Sequence, residues 1–131
     1  MIYSNIHILK HQGGGIAPWN LTQYSFVRQG DNIIGNVRRT RSLFEVIFFH
    51  FQYVKFLPDG IIDIGWYYIS SSVKKMFYLP YLKEIQRIEG NIKSLNNKYK
   101  TGYTVYKSDS FRDWLKILTK KVFGYNIITL K

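Results

Sequence analysis

The spacing of the apolar residues changes near residue 70, and this change restricts the possible folds more than any other feature of the chain. Before residue 70, short apolar runs have the pattern of β-strands and are separated by turn-forming residues. After it, apolar side chains recur every three or four positions, as on one face of an amphipathic helix; they are Val73, Phe77, Tyr81, Ile85, Ile88, Ile92 and Leu95. We therefore predict an α+β fold, with a small mixed or antiparallel sheet over residues 2–69 followed by two or three helices.

The strand pattern covers residues 2–9, 24–28, 33–39, 44–57 and 61–69. A turn at Gln29-Gly30-Asp31-Asn32 predicts a hairpin, because Gly and Asn tolerate the backbone of a tight turn. Residues 44–57 are apolar on both faces, which is typical of a central strand that is covered on both sides. The turn Pro58-Asp59-Gly60 predicts that the last strand returns antiparallel to it.

Capping residues and breakers divide the second half of the chain. The serines at 70–72 are expected to cap the first helix, and Pro80 is expected to break it into a short and a longer piece. A polar linker follows over residues 96–102. Ser108 or Ser110 is expected to cap a final helix that runs to about Phe123 and ends at Gly124. A strand-rich segment (1–69) and a helical segment (70–131) are predicted to form one domain.

The overall charge favours an anionic partner. Lys and Arg number 19 against 8 Asp and Glu, which gives a net charge of +11. Such a field attracts nucleic acid, nucleotides, phosphosugars or anionic lipid without selecting among them. The basic residues are scattered and no nucleic-acid-binding motif is present, which disfavours nucleic acid as the partner. The absence of cysteine excludes disulfides, thiolate zinc sites and thiol nucleophiles.

The cellular location is predicted to be cytoplasmic. No signal-peptide pattern follows Met1, and no apolar run reaches the roughly 20 residues that cross a bilayer. The final helix has an apolar face (Phe111, Trp114, Leu115, Leu118 and Val122) and basic residues around the remainder. Packing of that face on the sheet is the favoured interpretation, and peripheral attachment to the inner face of an anionic membrane is the alternative.

The loop at residues 13–20 is the first candidate binding element. Gly13, Gly14 and Gly15 let the backbone approach a ligand closely, although a simple flexible turn explains them equally well. After the rigid Pro18, Trp19 offers a flat stacking surface and Asn20 an amide that both donates and accepts, a combination that suits a sugar ring. The structural alternative is that Trp19 fills the end of the core and Asn20 caps a turn. Neither an esterase nucleophile elbow nor a phosphate-binding loop is present.

His50 is the second candidate, because it is a lone imidazole inside the run Phe48-Phe49-His50-Phe51. From the residues alone, a hydrogen-bonded core histidine is the favoured interpretation. A metal ligand or a diphosphate contact is the functional alternative. Asp59 and Asp63 flank a turn and its strand, and both are expected to be solvated.

Two motifs resemble a known family. Gly15-Ile16-Ala17-Pro18-Trp19-Asn20-Leu21 and, after a polar hairpin, Val46-Ile47-Phe48-Phe49-His50-Phe51 resemble the C-terminal portion of bacterial nucleotide-sugar glycosyltransferases of the GT-A type. The resemblance covers roughly residues 5–57. It implies a C-terminal fragment of an enzyme that transfers a sugar from a nucleotide-sugar donor to a glycan acceptor in surface polysaccharide synthesis.

The resemblance also implies residue roles. His50 would bind a divalent cation, Mn²⁺ or Mg²⁺, or contact the diphosphate. Trp19 and Asn20 would line the sugar pocket, with Gly13, Gly14 and Gly15 close to the ligand. Two departures are clear: Gln52-Tyr53 replaces the family's Ser-Gly after the histidine motif, and no Asp-x-Asp motif or nucleotide-binding half is present. The chain is therefore expected to be inactive alone, and a small basic module that binds a polyanion or nucleic acid is the alternative.

Overall fold

The computed structural model describes residues 10–104 and 111–130, without the side chains of Asp59, Asp113 and Lys121. These residues belong to two compact units, one ending at His50 and the other beginning at Phe51. The described parts contain two antiparallel three-stranded sheets, a long helical stretch and a shorter helix, which confirms the α+β class. The boundary between the units lies between residues 50 and 51 and not near residue 70, the position at which the spacing of the apolar residues changes.

The first unit is built around the predicted hairpin. Strands β1 (Tyr24–Gln29) and β2 (Asn32–Val37) pair antiparallel, and β3 (Leu43–Glu45) joins the other edge of β2. Gly30 has φ +60° in the turn, as predicted for this position. Short 3₁₀ turns at Gln12–Gly14 and Leu21–Gln23 precede the hairpin. The buried apolar side chains are Ile16, Ala17, Leu21, Phe44 and Phe49.

The prediction of one long central strand over residues 44–57 is wrong. The chain leaves the first sheet after Glu45, because the amides of Ile47 and Phe48 both donate to the carbonyl of Gly13, at 2.9 and 3.0 Å. The side chain of Phe48 is 55% exposed, so the segment is not covered on both faces. Strand structure resumes only at residue 55, in the second unit.

The second unit has a sheet in the order β4 (Lys55–Phe56), β5 (Ile61–Asp63) and β6 (Ile127–Thr129). The antiparallel return from β4 to β5 is confirmed, but β5 ends at Asp63 and does not continue to residue 69. Strand β6 comes from the end of the chain and was not predicted. The core side chains are Leu57, Ile62, Ile64, Ile69, Val73, Phe77, Tyr78, Leu82 and Ile128.

The helical stretch runs through α1 (Ser71–Val73), a π-helical segment (Lys74–Tyr78) and α2 (Leu79–Leu95). Ser70 caps it as predicted, since its Oγ accepts from the amide of Val73 at 3.3 Å. The predicted break at Pro80 is wrong. Proline occupies the first turn of α2, directly after the π-helical segment, where a changed hydrogen-bond register accommodates its missing N–H.

The last helix, α3 (Phe111–Phe123), ends as predicted with Gly124 at φ +61°. The predicted capping serines, 108 and 110, and the predicted strand over 2–9 lie outside the described residues. Among the helices that the structure describes, none has the length and apolar character needed to cross a membrane.

Candidate functional site

The Asn20 side chain holds the loop that leads to Trp19. Its Oδ1 accepts from the amide of Ala17 at 2.9 Å, and its Nδ2 donates to the carbonyl of Gly15 at 2.8 Å. Both ends of the amide are therefore engaged by the loop backbone. This is the role of an internal brace, which fixes the path of residues 15–20 and the position of Trp19.

The three glycines differ in their surroundings. Gly13 is buried, and a Cβ at this position would lie 1.8 Å from the carbonyl oxygen of Glu45. Its amide donates to Nδ1 of His11 at 3.2 Å. Gly13 is thus required by close packing against the end of β3. Gly15 is exposed and a Cβ there would meet nothing within 4 Å, so it borders open space.

A short parallel contact joins this loop to the histidine segment. Ile16 pairs with Phe49, and the amide of His50 donates to the carbonyl of Ile16 at 2.8 Å. Ile16 and Phe49 are both buried in the first unit. Because neighbouring side chains of extended backbone alternate in direction, burial of Phe49 turns His50 outward.

Trp19 and His50 meet on the surface that results. Their ring centroids are 5.5 Å apart with the planes tilted by 58°, and the ring of Phe48 lies 6.4 Å from that of His50. The side chain of Trp19 is 51% exposed, and His50 is exposed as well. The favoured interpretation of His50 as a core residue is therefore wrong. The alternative interpretation of Trp19, that it fills the end of the core, is also wrong. We call Trp19, Phe48 and His50 the Trp19–His50 face.

This face has the chemistry of a sugar-stacking surface with a polar neighbour. An exposed indole presents an apolar plane, and an imidazole can donate to or accept from an oxygen-rich ligand. His50 is also the nitrogen ligand that a cation near this face would meet. Within residues 10–104 and 111–130, no three His, Cys, Asp or Glu side chains form a group that could hold a metal ion.

A second polar cluster, which was not predicted, lies in the second unit. Lys120 of α3 donates through Nζ to Oδ1 of Asp63 and to the carbonyl of Gly65, the latter at 2.7 Å. The amide of Gly65 donates to the same Asp63 oxygen at 2.8 Å, and Asn126 donates to the Gly65 carbonyl at 3.2 Å. Asp63 is buried, so the expectation that it is solvated is wrong. The one signal in the sequence is an acid inside the apolar run Ile61-Ile62-Asp63-Ile64.

A cavity of about 390 Å³ adjoins this cluster and is lined by Tyr53, Lys55, Asp63, Gly65, Trp66 and Tyr67. The Lys120 ammonium lies 4.3 Å from the centroid of the Trp66 ring, a cation–π distance. Burial lowers the pKa of Lys120, and the attraction of Asp63 only partly opposes this effect. Burial and repulsion by Lys120 also lower the pKa of Lys74. Lys55, Lys74 and Lys120 are therefore close enough for the charge of one lysine to affect the pKa of another.

Helix α3 attaches to the second unit through its polar side. Of the α3 residues whose side chains are described, Lys120 alone is buried, and it lies half a turn around the helix from the apolar stripe. The stripe itself is exposed: Phe111 is 76% and Val122 64% accessible, and Trp114, Leu115 and Leu118 are also exposed. The prediction that the apolar face packs on the sheet is therefore wrong.

Comparisons with protein-family models, with curated proteins and with solved structures found no match to this chain.

Proposed function

We propose that the Trp19–His50 face is part of the donor site of a glycosyltransferase that uses a nucleotide-sugar. The single observation that carries this proposal is the 5.5 Å approach of the Trp19 and His50 rings on an exposed surface. Two motifs that are distant in sequence thereby contribute to one surface. On this proposal the chain is the C-terminal part of an enzyme of surface polysaccharide synthesis, and its acceptor is a glycan.

Each residue has a defined task in the proposed site. Trp19 stacks on the apolar face of the sugar, and the loop brace from Asn20 keeps the indole in place before the ligand arrives. Such preorganisation reduces the entropy that binding would otherwise cost. His50 donates to a diphosphate oxygen or supplies one ligand to a divalent cation. Gly15, with open space at its Cα, allows close approach of the ligand to the loop.

His50 is the one residue of the proposed site that would bind a divalent cation. The His50 imidazole is exposed beside Trp19, so it is accessible to a cation that accompanies a bound diphosphate. When bound, Mn²⁺ or Mg²⁺ would neutralise the charge that develops on the leaving diphosphate. The isolated chain is expected to bind donor without transferring the sugar, since one imidazole is not a complete metal site.

Calorimetric titration with a panel of nucleotide-sugars, with and without Mn²⁺, tests this proposal. We expect Trp19→Ala to weaken binding under both conditions and His50→Ala to remove the part that depends on Mn²⁺. Trp114→Ala is the matched control, because Trp114 is exposed to a similar degree at 48% but lies on α3. Binding that is unchanged in both site variants contradicts the proposal. An affinity that is the same for every sugar in the panel and falls steeply with added salt supports the polyanion-binding alternative instead.

A second proposed role is peripheral attachment to an anionic membrane through α3. The observation that favours it is the outward-facing apolar stripe. Helix α3 contacts the second unit through the buried Lys120, so its apolar side chains are accessible to a lipid surface. Phe111 and Trp114 stack at 5.7 Å within that stripe. Apart from the buried Lys120, the helix sequence has three basic residues and one acidic residue, a net positive charge that complements an anionic leaflet. Cytoplasmic location at the inner face of the membrane is part of this second proposal.

Vesicle sedimentation tests the membrane role. We expect binding to vesicles that contain phosphatidylglycerol, and little binding to phosphatidylcholine alone. Leu115→Ser should reduce binding at least about tenfold, because the lost apolar burial is worth about 1.5–3 kcal/mol. Leu43→Ser is the matched control, since Leu43 is an exposed leucine in the first unit. An equal effect of both variants contradicts the role. A concentration-dependent dimer that Leu115→Ser abolishes would assign the stripe to self-association.

A further inference from the structure

We propose that the turn between β2 and β3 is a binding site for a terminal phosphate group, as carried by a small phosphate monoester. Residues 38–42, with the sequence Arg-Arg-Thr-Arg-Ser, are called the arginine turn. The inference goes beyond the proposed donor site, because these residues do not belong to the Trp19–His50 face. It stands whether or not that face binds a nucleotide-sugar.

The arginines of the chain are concentrated in this turn, whereas the lysines are scattered. The chain has six arginines, and three of them are at positions 38, 39 and 41. No acidic residue occurs between Asp31 and Glu45, so the sequence places no carboxylate beside the turn. The planar guanidinium group of arginine has five N–H donors in a fork that matches phosphate oxygens, which the ammonium of lysine lacks. The concentration of arginine therefore favours recognition of phosphate over a surface that is merely basic.

Hydrogen bonds hold the arginine turn in one conformation. The amide of Val37 donates to the carbonyl of Ser42 at 2.9 Å, and the amide of Arg41 donates to the carbonyl of Val37 at 2.8 Å. Nε of Arg38 donates to the carbonyl of Tyr24, in β1, at 3.0 Å. The base of the turn and one of its guanidinium groups are thus fixed before a ligand arrives, which reduces the entropy cost of binding.

Arg41 has a backbone conformation that a long side chain does not favour. Its φ is +61°, in the left-handed region where glycine and asparagine are the usual residues. Gly30 occupies the same region in the turn of the neighbouring hairpin. Residues that are not glycine and adopt such conformations concentrate at ligand-binding and active sites. An arginine at this position therefore indicates a task for its guanidinium group.

The donors of the turn are accessible to a ligand. Arg39 and Arg41 are exposed, and in the described parts of the chain neither side chain forms an ion pair or a hydrogen bond. Thr40 and Ser42 are exposed as well, and their hydroxyl oxygens are 2.8 Å apart. Because their mutual hydrogen bond uses only one of the two hydroxyl hydrogens, the other can be donated to a ligand.

These donors favour a phosphate monoester over a phosphate diester. A monoester has three terminal oxygens and a charge of about −1.5 to −2 at neutral pH. A diester, as in nucleic acid or phosphatidylglycerol, has only two free oxygens and one negative charge. The guanidinium groups of Arg39 and Arg41, with one hydroxyl donor, can bind all three oxygens of a monoester by charge-assisted and neutral hydrogen bonds.

NMR titration of the labelled full chain at constant ionic strength tests the inference, with methyl phosphate as the monoester and dimethyl phosphate as the diester. We expect saturable shifts of the Nε–H signals of Arg39 and Arg41 with methyl phosphate, and about tenfold weaker binding of dimethyl phosphate. Arg87 is the internal control, because Glu84 already accepts from its guanidinium group. Equal affinities for the two esters, or no shift at millimolar ligand, overturn the inference.

Charge variants separate recognition from a general electrostatic field. Arg39→Gln/Arg41→Gln should weaken methyl phosphate about tenfold. Lys98→Gln/Lys100→Gln makes the same change in net charge at exposed positions and should leave the affinity unchanged. Equal losses in the two double variants overturn the inference.

A substitution that suits the backbone separates binding from folding. Arg41→Gly removes the guanidinium group but places at φ +61° a residue that adopts this conformation readily. We expect weaker binding of methyl phosphate without a fall in the urea denaturation midpoint. Unchanged binding, or a loss that is matched by a lower midpoint, overturns the role of Arg41. Trp19→Ala should not affect binding of methyl phosphate, which separates this site from the donor site.

Discussion

Lys120 and Asp63 form an ion pair that is almost completely buried, with side-chain exposures of 2% and 4%. Removing two charges from water is costly, and their attraction offsets the cost only when further hydrogen bonds satisfy both groups. Gly65 meets that condition with its carbonyl on Lys120 and its amide on Asp63. The pair attaches α3 to the end of β5 by a polar contact, and this attachment is the reason that the apolar stripe of the helix faces outward.

Removal of one partner of this pair should be strongly destabilising. Lys120→Met leaves the Asp63 carboxylate buried without its cation, and we expect a loss of about 3–5 kcal/mol in the free energy of unfolding, measured by urea denaturation. Lys93→Met breaks the pair with Glu89, whose side chains are 48% and 22% exposed, and should cost less than about 1 kcal/mol. The double variant Asp63→Asn/Lys120→Met should recover part of the loss. Similar losses in the two single variants would show that burial of the pair is unimportant.

The glycine loop offers a matched pair of alanine substitutions. Gly13→Ala puts a methyl group 1.8 Å from the Glu45 carbonyl oxygen, so the loop or β3 must move. We expect a loss of about 1–3 kcal/mol in unfolding free energy, as for other overpacked sites. Gly15→Ala meets open space at φ −138° and should stay within about 0.5 kcal/mol of the wild type. Equal denaturation midpoints for the two variants would contradict the tight packing of Gly13.

The Asn20 brace predicts a graded series. Asn20→Ala removes both loop hydrogen bonds and should cost about 1–3 kcal/mol in unfolding free energy, while Asn20→Asp keeps an acceptor for Ala17 and should cost less. The same series should weaken nucleotide-sugar binding, because a looser loop no longer holds Trp19. If Asn20→Ala has the same free energy of unfolding as the wild type, the two Asn20 hydrogen bonds do not stabilise the loop.

Tyr78 gives a prediction about alkaline pH. Burial raises the pKa of its hydroxyl above the value of about 10 that it has in the unfolded chain. Above that pH the unfolded chain loses the proton while the folded chain keeps it, so stability falls, by up to about 1.4 kcal/mol per pH unit. Tyr78→Phe should abolish this part of the loss. Urea denaturation of both proteins between about pH 8 and pH 11 measures it, and a constant difference between them would contradict the burial effect.

Turn and capping residues in the sequence correctly predicted three features of the fold. Alternation with a Gly turn specified the first hairpin, Ser70 specified the start of the helical stretch, and Gly124 the end of α3. The apolar run over residues 44–57 misled because periodicity reports apolar content, whereas a strand also needs a partner edge. The amide of Val46 still donates to Ile33 of β2, but the next two amides, of Ile47 and Phe48, donate to the Gly13 carbonyl and not to a partner strand.

The candidate sites divide in the same way. Trp19 and His50 could be named as separate candidates, and their motif order suggested one site, but the parallel contact of Ile16 with Phe49 is a tertiary feature that no local pattern encodes. The pairing of Asp63 with Lys120 spans 57 positions and was missed for the same reason. A buried acid in an apolar run requires a cation, but the sequence offers many lysines and does not say which one.

Whether the Trp19–His50 face contacts a nucleotide-sugar is tested most directly by NMR on the labelled chain. The measurement follows the indole N–H signals of Trp19, Trp66 and Trp114 and the imidazole signals of His50 during titration with the nucleotide-sugar panel and Mg²⁺. Our account predicts saturable shifts for Trp19 and His50, with the other two indoles unchanged. Shifts confined to Trp66 or Trp114, or no shift at millimolar ligand, would contradict it.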